Sequence, residues 1–300
     1  MTVDKNKIKT SYLSEDIKPQ KSLGQNFLLD SSILEEIVSL AEIVASDTVL
    51  EIGPGTGSLT KELAKNASKV IVVEIDSKLC TILREQFKDY LNVEIIEEDI
   101  RNIISKFPAC ASAFAEASTG KKASAGKQIS NSQKYKLVAN LPYYLSSFII
   151  RRFLEIEQKP GMIVLTLQKE LVERICEKEG KMSIISIMVN LYGKPQLGPI
   201  ITRDKFYPAP QVDSRVLIIK DIKKPEDVDE KYFFRILRIG FSSKRKKLLS
   251  NLKNGTRLSK EKLKEIFDDL VIGDMVRAQE LSLDQWKKLS VKIKAQETQN

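Results

Sequence analysis

The chain has 300 residues, 42% of them hydrophobic, enough for one large domain or a medium domain joined to a small one. It contains no histidine, which excludes Ser-His-Asp and Cys-His nucleophiles, imidazole bases and histidine-ligated metals, and Cys80, Cys110 and Cys176 lack the spacing of a zinc site or a disulfide framework. The net charge of +9 is local: Lys231–Asn300 holds 17 of the 49 basic and 8 of the 40 acidic residues, so the first 230 residues balance at 32 of each.

Met1–Gln20 is polar and mixed in charge, without the apolar run of a signal peptide, and no stretch approaches the roughly 18 apolar residues of a membrane span, so a soluble, cytoplasmic protein is expected. Strand-length apolar runs then alternate with helical patterns: strands at Thr48–Ile52, Val70–Glu74, Val93–Ile96, Leu137–Asn140 and Met162–Leu167, and helices at Ser58–Asn66, Ser77–Phe87 and Ser146–Ile156. That alternation predicts an α/β fold with a doubly wound, Rossmann-like sheet, and each helix opens on a serine suited to capping. Pro108–Lys134 interrupts the rhythm with Ala, Ser, Lys and Gly and is expected to be an inserted surface loop, its Lys121, Lys122 and Lys127 offering an optional basic arm. Leu217–Lys220 predicts a late antiparallel edge strand. From Asp227 onward β signals give way to amphipathic helices punctuated by Gly240, Gly255 and Gly273, so the chain divides into a catalytic domain, 1–223, and a small all-helical domain, 224–300, which carries the basic excess and suits a polyanion such as nucleic acid.

Two motifs carry the chemistry. The first strand runs into Glu51-Ile52-Gly53-Pro54-Gly55-Thr56-Gly57, where glycines let the backbone approach a ligand and present helix N-terminal amides. A nicotinamide enzyme shares such a turn. Glu74, 21 residues beyond Gly53 at the end of the second strand, can accept from ribose hydroxyls, and Asp99, closing the third strand, from the amine of a cofactor's adenine; Asp76 is expected to cap the following helix. The fourth strand ends in Asn140-Leu141-Pro142-Tyr143, which favours S-adenosylmethionine over nicotinamide because it is built for a base. An exocyclic adenine amine is a poor nucleophile, its lone pair being delocalised into the ring; acceptors on both hydrogens, Asn140 Oδ1 and the Leu141 carbonyl, draw the nitrogen towards tetrahedral geometry and stabilise the charge that develops on it. Pro142 restrains Leu141, and Tyr143 can stack on an extruded base. Phe206, in Phe206-Tyr207-Pro208-Ala209-Pro210, is placed to meet the base's other face. Trp286, the single tryptophan, is expected in a helical core.

These residues resemble the small-subunit ribosomal RNA adenine N6,N6-dimethyltransferases, the dimethyladenosine transferases. The resemblance runs from Lys21 to about Ser282 and includes Lys21-Ser22-Leu23-Gly24-Gln25-Asn26-Phe27-Leu28, the glycine loop, Val73-Glu74-Ile75-Asp76, Asn140–Tyr143, Leu167-Gln168-Lys169-Glu170, Phe206–Ser214, Phe241, the run Lys244-Arg245-Lys246-Lys247, Asn251-Leu252 and Arg277-Ala278. It implies that Asn26 and Leu28 join Gly53, Gly55, Glu74, Asp99 and Asn140 in holding S-adenosyl-L-methionine. It further implies a substrate of two adjacent adenosines in the 3′ hairpin of small-subunit RNA, each methylated twice, within a pre-30S particle. Lys244–Lys247 then supply phosphate contacts, and nothing in the sequence demands more than a monomer. Two rivals stay open: a large-subunit adenine dimethyltransferase conferring macrolide-type resistance, and a non-catalytic RNA-binding assembly factor.

Overall fold

The structure, a computed structural model, describes residues 19–104, 135–177 and 180–299; the predicted insertion at 108–134 lies outside these. It divides into two units, one built from the described residues up to Val172 with Pro195–Ile222, the other from Glu173–Lys194 with the chain from Lys223 onward.

The first unit is a seven-stranded sheet. In chain order its elements are β1 (Phe27–Leu28), α1 (Ser31–Leu40), β2 (Thr48–Ile52), α2 (Ser58–Ala64), β3 (Lys69–Glu74), α3 (Ser77–Gln86), β4 (Val93–Glu97), α4 (Ile100–Ile103), β5 (Lys136–Asn140), α5 (Ser146–Glu155), β6 (Met162–Gln168), α6 (Lys169–Ile175), α7 (Ile184–Tyr192), β7 (Lys194–Ile201), β8 (Phe206–Tyr207) and β9 (Ser214–Lys220), of which α7 belongs to the second unit. The sheet order is β4-β3-β2-β5-β6-β9-β7, with β2 to β6 parallel and β9 antiparallel to β6. All five predicted strands of the parallel core are present. β9 is antiparallel as expected but interior, because β7 takes the edge beside it. The serines expected to cap helices are instead their first helical residues. The caps of α2 and α5 are Gly57 and Leu145, neither bonding through its side chain, while Asp76 caps α3 through the Lys78 amide.

Hydrophobic burial explains why this order closes. α1 and α2 set Leu34, Ile37, Val38, Leu59 and Leu63 against Val49, Val70, Val72, Val138 and Val164 on one face. The intervening Leu50, Ile71, Val73 and Leu137 are buried as well, so both faces are covered and the strands read as continuous apolar runs. Each such side chain contributes about 1.5–3 kcal/mol by leaving water. Strand order reverses between β2 and β5, and these two strands pair only at Val49 with Lys136 and Leu50 with Leu137. Beyond that point they part, opening a crevice at the carboxyl ends, where doubly wound sheets bind ligands.

The second unit is helical: α8 (Glu230–Gly240), α9 (Leu248–Gly255), α10 (Lys260–Asp269) and α11 (Leu283–Gln299), with α7 packed on α11. Phe233, Leu237, Leu252, Phe267, Trp286 and Leu289 form its interior. A division at 223/224 omits one piece, Glu173–Lys194. That piece groups with the helices because the Tyr192 ring stacks on Phe234 at 6.3 Å, its hydroxyl donates to Glu230, and the Met182 amide donates to the Gln279 carbonyl at 3.0 Å. Among the described residues no helix is long and apolar enough to cross a membrane.

Candidate active site

The crevice between β2 and β5 widens into a cleft of about 1030 Å³, its open mouth included. All the residues expected at the cofactor and the base line it: Asn26, Leu28, Gly53, Gly55, Glu74, Asp99, Asn140, Leu141, Pro142, Tyr143 and Phe206. The four strands β2, β3, β4 and β5 each deliver their last residues or the following turn to it.

Two glycines are required by geometry. Gly53 has φ +65°, a left-handed conformation that a side chain disfavours, and its amide donates to the Val73 carbonyl at 2.9 Å. Gly55 has φ +58°, and a Cβ there would lie 2.7 Å from the Phe27 ring, so the loop closes against β1 only without a side chain. Glu74 is buried, and its Oε1 accepts from the amides of Ile75 and Asp76 at 2.8 and 2.9 Å. Burial pushes its carboxyl above the usual range, opposed by those amides and the Gly55 amide. The carboxylate is thereby held at the strand end by backbone rather than left to rotate.

Glu51, beside it, is 1% exposed and accepts from Thr60 Oγ1 at 2.6 Å. Burial, with the nearby Glu74 charge adding, pushes Glu51 up to about 8. Asp99 caps α4 through the Arg101 amide at 2.9 Å and also receives Arg101 Nε at 2.8 Å. This guanidinium holds the Asp99 carboxyl below the usual carboxylate range. Asp99 therefore stands ionised at the mouth, already engaged by a cation.

In the Asn-Leu-Pro-Tyr loop, Asn140 Nδ2 donates to the Asn26 carbonyl at 3.1 Å. Only the amino end of an amide can face that acceptor, so the oxygen end is assigned to the other side. Asn26 itself folds its side chain onto the Gly24 carbonyl at 3.2 Å. Leu141 is buried at 2% exposure, anchoring the loop in the core. Tyr143 is fixed by a 2.8 Å hydrogen bond between its hydroxyl and Ser214 Oγ, and burial raises its phenol. Phe206 comes from β8, which pairs antiparallel with β1, Leu28 opposite Phe206 and Phe27 opposite Tyr207. This short ribbon brings residues 178 positions apart to one wall.

In the helical unit, Lys244, Arg245, Lys246 and Lys247 are all exposed in the turn between α8 and α9, and none of the four side chains is paired with an acid among the described residues. The turn is held from below: buried Asn251 donates to the carbonyls of Gly240 and Ser243 at 2.6 and 3.1 Å, and Phe241 stacks on Trp286 at 5.7 Å.

Sequence reasoning missed several residues at the cleft. Gln20 and Gln25 donate to Asp76 Oδ2 at 2.8 and 3.2 Å, pinning the segment before β1 beside the cofactor strands. Arg101 and Tyr144 line the mouth. No local pattern marks a glutamine that bonds 51 residues away; Tyr144 carries a signal, an aromatic beside the base-stacking motif with no apolar period to bury it.

A doubly wound sheet with a glycine turn, a strand-end acid and an adenine-type acceptor loop meeting in one cleft defines a Rossmann-like, S-adenosylmethionine-dependent methyltransferase. The family of ribosomal RNA adenine dimethylases matches residues 17–295, and the chain belongs to that family, an enzyme acting on ribosomal RNA. It is 38% identical over 275 residues to a ribosomal RNA small subunit methyltransferase A from Dehalococcoides mccartyi, covering 91% of this chain and 88% of the relative. It is 36% identical over 280 residues to the protein of the same name from Bacillus cytotoxicus, covering 90% of each. Among solved structures, a dimethyladenosine transferase from Plasmodium falciparum superposes with a TM-score of 0.69 at 26% identity over 89% of this chain and 96% of that one. The 23S rRNA methyltransferase ErmE shares the fold at a TM-score of 0.65 and 20% identity, covering 90% of this chain and 100% of that one.

Proposed function

We propose that this enzyme dimethylates the N6 amines of two adjacent adenosines in the 3′ hairpin of small-subunit ribosomal RNA, acting in the cytoplasm, as a monomer, on a pre-30S particle. The observation that carries the chemistry is the orientation of Asn140: with Nδ2 committed to the Asn26 carbonyl, Oδ1 is the end available to an amine in the cleft. The two relatives named as small-subunit methyltransferases support the target.

S-adenosylmethionine, when bound, supplies an activated methyl group. Gly53 and Gly55 give it close backbone approach, Glu74 accepts from its ribose hydroxyls, Asp99 from its adenine amine, and Asn26 and Leu28 complete the wall. Asn140 Oδ1 and the Leu141 carbonyl accept the two hydrogens of the target amine and stabilise positive charge as it develops on nitrogen. Tyr143, its ring steadied by Ser214, stacks on the extruded base, a contact worth about 1–3 kcal/mol, with Phe206 on the opposite side. Lys244–Lys247 contact phosphates and supply affinity without sequence information. No strong base is needed, since the methylated amine sheds its proton to water, and the chain offers no imidazole.

The test is incubation of the purified protein with labelled S-adenosylmethionine and, separately, immature small subunits or large-subunit RNA, followed by mass spectrometry of the nucleosides. Dimethyladenosine at paired adenosines of the small-subunit hairpin is expected. Label found solely in large-subunit RNA would keep the chemistry and overturn the target.

A further inference from the structure

Beyond the pocket for the target base, the catalytic loop continues into an exposed aromatic face. Tyr144 is 57% exposed at the mouth of the cleft, and Phe148, four residues on, is 37% exposed. Four residues is one helical turn, so the two rings share a side of the Tyr143–Leu145 turn and α5, whose opposite side buries Ile149, Ile150, Phe153 and Leu154. A solvated helix face ordinarily carries charged side chains, whereas this one sets two partly exposed rings beside the cleft.

Three observations identify the occupant of this face. The face is continuous with the cleft, Tyr144 lining the mouth directly after Tyr143. It is flanked by arginines: Arg101, ion-paired with Asp99, lines the same cleft as Tyr144, and Arg152 follows Phe148 by one further turn. The acids Asp99 and Glu155 are each engaged by an arginine, Arg101 and Arg151, so neither presents a bare negative charge to a polyanion. Rings in register with cations are how proteins hold single-stranded nucleic acid, bases stacking on aromatics and phosphates meeting arginines.

We infer that Tyr144 and Phe148 form a stacking platform for the unpaired nucleotide next to the adenosine in the cleft. This rests on the RNA-adenosine reading of that cleft. With two adjacent adenosines as substrate, the platform holds one while the other reacts, and Tyr144 is a positioning residue rather than a catalytic one. Its ring lies beside Gly24, where an added Cβ would come within 3.3 Å of it.

The experiment uses the full chain with saturating S-adenosylhomocysteine and a hairpin RNA carrying 2-aminopurine next to the target adenosine. Wild type should quench the fluorophore by stacking. Tyr144→Ala should restore emission and weaken the RNA about 10-fold, Phe148→Ala about 3-fold, while Tyr144→Phe retains both. Affinity for S-adenosylhomocysteine without RNA should be unchanged in all three. Emission and RNA affinity indifferent to Tyr144→Ala would overturn the platform alone, as would a loss of S-adenosylhomocysteine affinity, which would make Tyr144 a wall of the cofactor cleft. Self-association that Tyr144→Ala abolishes, with RNA binding intact, would likewise overturn it in favour of a protein contact. If wild type neither binds nor methylates the hairpin, the substrate reading falls, and the platform with it.

Discussion

The cleft and the basic turn of the helical unit solve opposite problems. In the cleft, polar groups are buried or half-buried and each is held by a neighbour: Glu74 by two amides, Asn140 by a carbonyl, Tyr143 by a hydroxyl, Asp99 by a guanidinium. In the turn at Lys244–Lys247 the four basic side chains are exposed to water and the backbone beneath them is fixed, by Asn251 and by the stacking of Phe241 on Trp286. Chemistry on one amine needs placement to a fraction of an ångström. Attraction to phosphates needs charge in roughly the right place. The cleft should therefore fail on single atoms, the turn gradually and with salt.

Asn140→Ala sets the upper end of this contrast: turnover should fall about 10²–10³-fold in a methyl-transfer assay while RNA binding stays within about twofold of wild type. Comparable turnover in the variant would remove Asn140 from the chemistry. Glu74→Ala should cost roughly 10- to 100-fold in S-adenosylmethionine affinity, measured by calorimetry without RNA, the loss expected of charge-assisted hydrogen bonds. Replacing Lys244, Arg245, Lys246 and Lys247 together by alanine should leave that affinity alone and flatten the dependence of log affinity on log salt by about two to four units, at roughly 0.7–0.9 per phosphate. An unchanged slope would put the RNA path elsewhere.

Gly240→Ala tests the support beneath the turn. A Cβ there would lie 2.4 Å from the Trp286 ring, which is fully buried, so the variant should lose about 1–3 kcal/mol in denaturant unfolding of the helical unit, with cofactor affinity unchanged. Glu51 offers the most condition-dependent effect. Its folded value, about 8, lies above the ordinary 4.5, so the native state keeps a proton that the unfolded chain releases. Its stabilising contribution is full below about 4.5 and is lost as pH rises towards 8, at up to about 1.4 kcal/mol per pH unit. Glu51→Gln should remove that decline from urea melts taken between pH 5 and 8; parallel curves for the two proteins would mean that Glu51 is ionised throughout.

What was legible in the sequence was whatever is local. The parallel strands, the glycine turn and Asn-Leu-Pro-Tyr each declare themselves within a few residues, and a doubly wound parallel sheet follows from alternation. Caps misled because serine suits both the cap and the first turn, and for α2 Gly57, at φ +77°, took the cap itself. The β1–β8 ribbon was invisible: two-residue strands have no period, and their pairing joins Leu28 to Phe206. Likewise β7, rich in Gly and Pro and largely exposed, lacks the apolar run that would announce a sheet edge. Nor could spacing show that Tyr192 stacks on Phe234, which assigns α7 to the helical unit.

The hydrogen bond from Asn140 to Asn26 has one more consequence. A carboxamide is close to symmetric in outline, and a pocket shaped by contact alone would accept it either way round. The Asn26 carbonyl acts as a key that admits one polarity, so half the possible orientations are discarded before any substrate arrives. Aspartate, the same size, has no end that fits this key: one oxygen must confront the carbonyl or carry a proton. The site thus distinguishes two isosteric side chains by a single peptide group, 114 residues away in the chain.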